Sequence, residues 1–161
     1  MTYSKRLKGA VTILGIAAIS TLATAAIASP GSGISSAILV TANLDEEGQF
    51  NSDRVKLQTK DKTDVRVQRL TFAAGAYSGW HHHPGIIIVA VESGTLTLAD
   101  SNCGSRTYGP GQPNGSVFIE GHDTPQQATS ASGAVVYVTY VAPSADPPVF
   151  RLEDSAPSCA N

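Results

Sequence analysis

No stretch of the 161-residue chain holds a helical hydrophobic period for three turns, and that absence argues against helical bundles and alternating α/β folds. Cysteine is scarce: two residues, Cys103 and Cys159, too few and too far apart for a zinc-thiolate site. Basic residues do not outnumber acidic ones, with 11 Lys and Arg against 13 Asp and Glu, which disfavours nucleic acid and anionic membrane as partners. Glycine-rich phosphate loops are missing. Ser78 lies near the histidines, but no nucleophile elbow surrounds it and no aspartate is placed to orient a histidine, so nucleophilic catalysis has no support.

What is present begins with an export signature. Lys5, Arg6 and Lys8 precede an uncharged stretch over residues 9–28 that closes on Ala26-Ile27-Ala28, the small-x-small pattern that a signal peptidase needs. Residues 1–28 are expected to be a cleaved signal peptide, giving a protein secreted or held in the periplasm or cell envelope, with no stable membrane insertion after cleavage. Without that segment eight basic residues face 13 acidic ones, a net charge of −5. Residues 29–36, rich in Pro, Gly and Ser, read as a flexible leader. Residues 37–161 then form one domain, long enough to bury its own core. In an oxidising compartment the two cysteines are expected to pair, Cys103 with Cys159, tying an extended C-terminal strap to a mid-chain loop.

Almost every apolar run in that domain is short, β-branched and bounded by turn residues, which predicts an all-β sandwich or barrel. The predicted strands are 37–42, 54–59, 64–72, 86–92, 95–99, 106–108, 116–120, 126–129, 134–141 and 149–152. Ser93-Gly94 reads as a tight hairpin turn. The run 86–91 is apolar on both parities, so both faces of that strand are expected to be covered, one of them by a second subunit in a homodimer.

Residues 75–94 read GAYSGWHHHPGIIIVAVESG and carry the chemistry. His81 and His83 stand two apart at the end of a strand-like run, so strand alternation aims both imidazoles to one side while His82 points to the other. Paired imidazoles on one strand face suit a metal. On the strand before them, Arg66, Gln68 and Arg69 interrupt an apolar pattern, so one parity must place a polar group on a barrel face, where an inward Arg or Gln can grip an anionic or carbonyl ligand. Trp80, Phe118 and Tyr137 read as core residues first and pocket edges second.

The spacing of Gly75, His81, His83, Ile87 and Gly94 resembles the first signature of the cupin superfamily, G-x5-H-x-H-x3-E-x6-G, with Ile87 at the glutamate place. Residues 115–130 resemble the second, G-x5-P-x-G-x2-H-x3-N, in spacing: Gly121, Asp123, Gln126 and Ser130 stand at the Pro, Gly, His and Asn places. The resemblance, which covers roughly residues 65–141, implies a jelly-roll barrel (double-stranded β-helix). Its metal set, carried over, leaves His81 and His83 with Gln126 at the third imidazole place. His122 reads first as part of an exposed turn and would replace the lost imidazole only if a slip of one or two residues brought it inward. Glu92 and Glu120 read as surface charges. Such a depleted set implies at most a weakly held divalent transition metal, Zn, Fe, Mn or Ni. The expected function is binding of a small molecule in the barrel cavity, with no reaction assigned. A metal-dependent dioxygenase or isomerase and a cell-envelope scaffold are the alternatives.

Overall fold

The computed structural model of the chain describes Pro30–Gly121 and Asp123–Ala160. Within those residues there is no helix; twelve strands carry the fold. They are β1 (Ser32–Leu44), β2 (Gly48–Asn51), β3 (Lys56–Thr59), β4 (Thr63–Tyr77), β5 (His81–His82), β6 (Ile86–Gly94), β7 (Leu96–Asp100), β8 (Ser105–Tyr108), β9 (Val117–Glu120), β10 (Gln126–Ser130), β11 (Ala134–Pro143) and β12 (Leu152–Glu153). All pairings are antiparallel.

Two curved sheets close into a nearly complete barrel. One runs β1-β4-β11-β6-β9, the other β12-β5-β10-β7-β8. Strand β4 belongs to both, because its last residues, Ala76 and Tyr77, leave β11 and pair with Ser130 and Thr129 of β10. Gly75 sits at that transfer with φ of +78°, a backbone state open to glycine at little cost. The small hairpin β2-β3 stands apart as its own two-stranded sheet.

Alternation along the central strands separates the two barrel faces. On β11, Ala134, Val136, Val138, Tyr140 and Ala142 are buried, and the residues between them are half-buried. The matching inward residues of β6 and β9, Ile87, Val89, Val91 and Phe118, complete the core with Phe72, Leu96 and Phe150. On β6 Ile87 and Val89 face in, and Ile86 and Ile88 face out at 51% and 41% exposure, continued on β9 by Val117 and Ile119.

Two sequence expectations change here. Ser93-Gly94 is a corner between sheets and not a hairpin, because β6 pairs with β11 and β9 whereas β7 pairs with β10 and β8. A tight turn and a sheet-to-sheet corner both call for a small residue, and a Cβ on Gly94 would lie 2.0 Å from the Gly133 carbonyl oxygen. Second, the segment 29–36 is not a free leader over its described part. Strand β1 starts at Ser32, and Ile34, Ser35 and Ser36 pair with Phe72, Thr71 and Leu70. The small residues that read as flexibility serve close packing, since a Cβ on Gly31 would meet the Ser78 carbonyl oxygen at 2.6 Å. The expected signal peptide, residues 1–28, lies outside the described residues.

The expected disulfide between Cys103 and Cys159 is present. It fastens the chain that follows β11 across one mouth of the barrel. Asp64, buried at the other end of that chain segment, accepts hydrogen bonds from the Ser144 hydroxyl (2.8 Å), the Ala145 amide (3.3 Å) and the Asn43 amide group. These bonds, the one from Ser144 foremost, hold its carboxyl below the usual aspartate range.

Candidate metal centre

Antiparallel register assembles the site. Across the first sheet, Arg66 on β4 faces Tyr140 on β11, Tyr140 faces Ile87 on β6, and Ile87 faces Glu120 on β9. Directly opposed residues in an antiparallel sheet point to the same side, so this row presents a guanidinium, a phenol, an isobutyl-sized apolar group and a carboxylate to the barrel interior. The next inward row, Gln68, Val138, Val89 and Phe118, is apolar except at one end. From the second sheet, β5 supplies His81, and His83 follows it.

His81, His83 and Glu120 are all buried, and one potential ligand atom from each lies within 4.8 Å of the others. The two imidazole rings stand perpendicular, 4.8 Å between centroids. Nδ1 of His81 is 2.9 Å from the Gly79 carbonyl oxygen, and Nδ1 of His83 is 2.6 Å from that of Phe150. A carbonyl only accepts, so both Nδ1 atoms carry a proton, and in the neutral ring Nε2 is the atom that offers a lone pair. Backbone carbonyls holding the distal nitrogen are the usual support of a ligating histidine.

His83 Nε2 faces the Glu120 carboxyl group. Glu120 Oε2 lies 3.3 Å away, at ion-pair distance, yet neither atom has a hydrogen-bond partner. A buried polar atom without a partner pays a desolvation cost of about 1–3 kcal/mol. A cation between them removes both costs. Two imidazoles and one carboxylate are also the donor chemistry that borderline divalent transition metals prefer.

His81 is further adapted to stay neutral. Burial, aided by the nearby Arg151 guanidinium, pushes its pKa down to about 4. The unfolded chain titrates its histidines near 6.5, so between about pH 6.5 and 4 the unfolded state binds more protons and stability falls as pH falls. The stability that neutral His81 contributes is complete above pH 6.5 and amounts to roughly 3 kcal/mol when fully lost. In chelator-treated protein, the drop in unfolding free energy from pH 7 to 4.5 is therefore expected to be smaller in His81→Asn than in wild type. Equal drops would mean that His81 is protonated without penalty. Tyr140, raised to about 12 mainly by burial and then by Glu120, remains a hydroxyl donor.

The sequence had named His81 and His83, and the structure brings them together. Gln126, expected as third ligand, pairs with His81 through the backbone and is buried, but its side chain is not part of the cavity wall. His122 lies outside the described residues. Glu120, read as a surface charge, is 5% exposed and completes the cluster. A signal for it existed: in Val117–Glu120 the apolar Phe118 and Glu120 share parity, so an inward Phe118 carries Glu120 inward with it. Glu92 is exposed as expected. His82 points away from the site and pairs with Asp154 of the strap at 2.8 Å. Arg66 and Gln68 line the cavity; Arg69 is turned outward and bonds Thr71. Of the three aromatics, Phe118 reaches the cavity wall, whereas Trp80 and Tyr137 do not.

The cavity holding this cluster measures about 550 Å³, within the usual range for small-molecule sites. Strands of the two motif-like segments, β5-β6 and β9-β10, form its walls around the histidines. The fold is a nearly closed antiparallel β barrel. No protein-family model and no curated protein matches the chain. Among solved structures it is similar to a conserved protein of unknown function from Streptococcus pyogenes, at 15% identity over 70% of this chain and 76% of that one, with a TM-score of 0.48. A DMSP lyase structure follows at 18% identity, 60% and 46% coverage and a TM-score of 0.46. An oxalate oxidase in complex with the substrate analogue glycolate shows 22% identity, 47% and 40% coverage and a TM-score of 0.39. The matched part spans less than half the length of the latter two proteins.

The C-terminal strap closes the barrel beside the histidines. Phe150 is buried against Tyr140, with ring centroids 5.6 Å apart. Arg151 donates to the Ser78 carbonyl at 2.6 Å and grips Glu153 through two bonds, 2.5 and 2.9 Å long. The bond from Arg151 holds the Glu153 carboxyl below its ordinary range. Strand β12 pairs with β5, and the Asp154 amide donates to the Trp80 carbonyl at 2.9 Å. The two histidines are thus braced by the C-terminal strap.

Proposed function

We propose that this chain is an exported cupin-type protein that binds a divalent transition metal through His81, His83 and Glu120, with a small organic molecule beside it in the barrel cavity, and that this pair forms a metal-dependent active site. The observation that carries the reading is the confrontation of His83 Nε2 and Glu120 Oε2, two buried polar atoms 3.3 Å apart without a hydrogen-bond partner. Three protein donors leave further coordination positions for ligand or water, the mark of catalytic rather than structural sites. A metal held there would supply Lewis acidity or oxygen activation. Glu120 adds a carboxylate to the two histidines that the sequence implied. The disulfide fits export, because such bonds persist in oxidising compartments.

The residues themselves position and exclude. The Gly79 and Phe150 carbonyls fix the ring orientations, the strap covers the mouth, and the inward aliphatic rows keep the cavity wall dry. Tyr140, with its hydroxyl protonated throughout the working pH range, is the one phenol in that wall near His83, ring centroids 5.6 Å apart. Protein refolded without metal and titrated with Co²⁺ is expected to take up one equivalent, with visible absorption bands of nitrogen and oxygen ligation. Loss of those bands in His81→Ala together with His83→Ala would support the reading; an unchanged spectrum in that double variant, or no uptake by wild type, would refute it.

A further inference from the structure

Arg66 is the cavity charge that the metal centre leaves unused. Its guanidinium lies 4.1 Å from the centroid of the Phe150 ring, over its face, and its Nε donates to the Thr41 hydroxyl at 3.1 Å. These two contacts fix the plane of the group. None of the ion pairs among the described residues involves Arg66, whereas the other arginine of the cavity, Arg151, is already neutralised by Glu153. Gln68, the next inward residue on β4, places an amide on the same wall. Arg66 and Glu120 stand at opposite ends of one register row, with Tyr140 and Ile87 between them.

Charge balance then points to the occupant. A divalent cation beside Glu120 leaves one positive charge, and Arg66 adds a second. The wall between them is apolar, formed by side chains such as Val89, Phe118, Val136 and Val138. A ligand that satisfies all three regions has an apolar body and an acidic end. A guanidinium with its plane fixed and its terminal nitrogens unspent matches the flat two-oxygen edge of a carboxylate.

We infer that Arg66, assisted by Gln68, is the recognition residue for the carboxylate of a small, largely apolar organic acid, which lies across the cavity with its other end toward His81, His83 and Glu120. The placement of that other end rests on the metal reading above; the contact with Arg66 does not.

The test uses the full, disulfide-bonded protein and matched probes that differ only in charge: benzoate and benzamide, phenylacetate and phenylacetamide, hexanoate and hexanamide. Each is added with and without Co²⁺, and the melting temperature is read, because a ligand of the native state raises it by mass action. At least one carboxylate is expected to raise it while its amide does not. In Arg66→Gln the affinity for that carboxylate is expected to fall by about tenfold to a hundredfold, the usual span for a lost hydrogen bond to a charged group. Arg66→Lys keeps the charge without the planar edge and should lose less. Both variants should take up Co²⁺ as wild type does, which shows that the barrel and the ligand cluster are intact.

Equal shifts with acid and amide, no shift with any acid, a shift given by inorganic phosphate or sulfate alone, or full carboxylate affinity in Arg66→Gln would each overturn the inference. A carboxylate response that depends on Arg66 in a protein that takes up no metal would support it and overturn the metal reading. Metal uptake without any response to acids would do the reverse.

Discussion

Replacing Glu120 with isoleucine is expected to abolish tight metal uptake, and adding Ile87→Glu to the same chain is expected to restore most of it. The two positions are direct cross-strand partners on β9 and β6, with both side chains turned into the barrel. Removing a support behind a ligand already costs about 10–100-fold in metal affinity, and removing the only carboxylate of the cluster should cost more. The swap returns a carboxylate to the same register row from the neighbouring strand, at the place that the glutamate holds in the motif these residues resemble. Recovery to within about tenfold of wild type corresponds to a geometric penalty near 1.4 kcal/mol.

Stability separates this from a structural role. The Glu120 carboxyl is buried with an oxygen that has no hydrogen-bond partner, so without metal its replacement by an apolar residue of similar volume should leave the barrel as stable or more stable. The expected result is thus a variant that melts no lower in chelator yet fails to gain stability from Co²⁺. A Glu120→Ile protein that binds Co²⁺ like wild type, measured by competition with a chromophoric chelator, would remove Glu120 from the site. Weak binding that persists in the swap would show that the carboxylate cannot cross between strands.

Opening the disulfide is expected to produce the largest loss of stability and to weaken the metal site with it. Cys103 and Cys159 are 56 residues apart, a loop for which chain entropy assigns about 4 kcal/mol, or a fall in melting temperature on the order of 10 °C or more. The second effect is local. The strap that ends at Cys159 carries the Phe150 carbonyl, which holds His83 Nδ1, and the β12 residues that pair with His81 and His82. A looser strap lets the His83 ring turn, and affinity should fall by roughly the 10–100-fold that follows loss of such a support. Cys103→Ser with Cys159→Ser, followed by calorimetry and Co²⁺ titration, measures both. Equal metal affinity in the bridged and unbridged proteins would mean that the strap shields the site without orienting it.

The alternation of β11 and the β-branched runs around it made the barrel legible, because period-two patterning is a local property of the chain. The same alternation located His81 and His83, and the cysteine count located their covalent brace. Register and sheet membership were not local. Ser93-Gly94 looked like a turn because turn and corner chemistry coincide, and residues 32–36 looked mobile because small residues serve flexible linkers and close packing alike.

The amino-acid sequence by itself therefore determined a β barrel with two inward imidazoles and a tethered tail. Only the tertiary structure decided that Glu120 stands beside them, buried within ligand distance, and that Gln126 lies off the cavity wall. A carboxylate on one strand can stand in for one on the next whenever the two positions are hydrogen-bonded neighbours, since what a metal meets is the position of an oxygen in space and not its place along the chain.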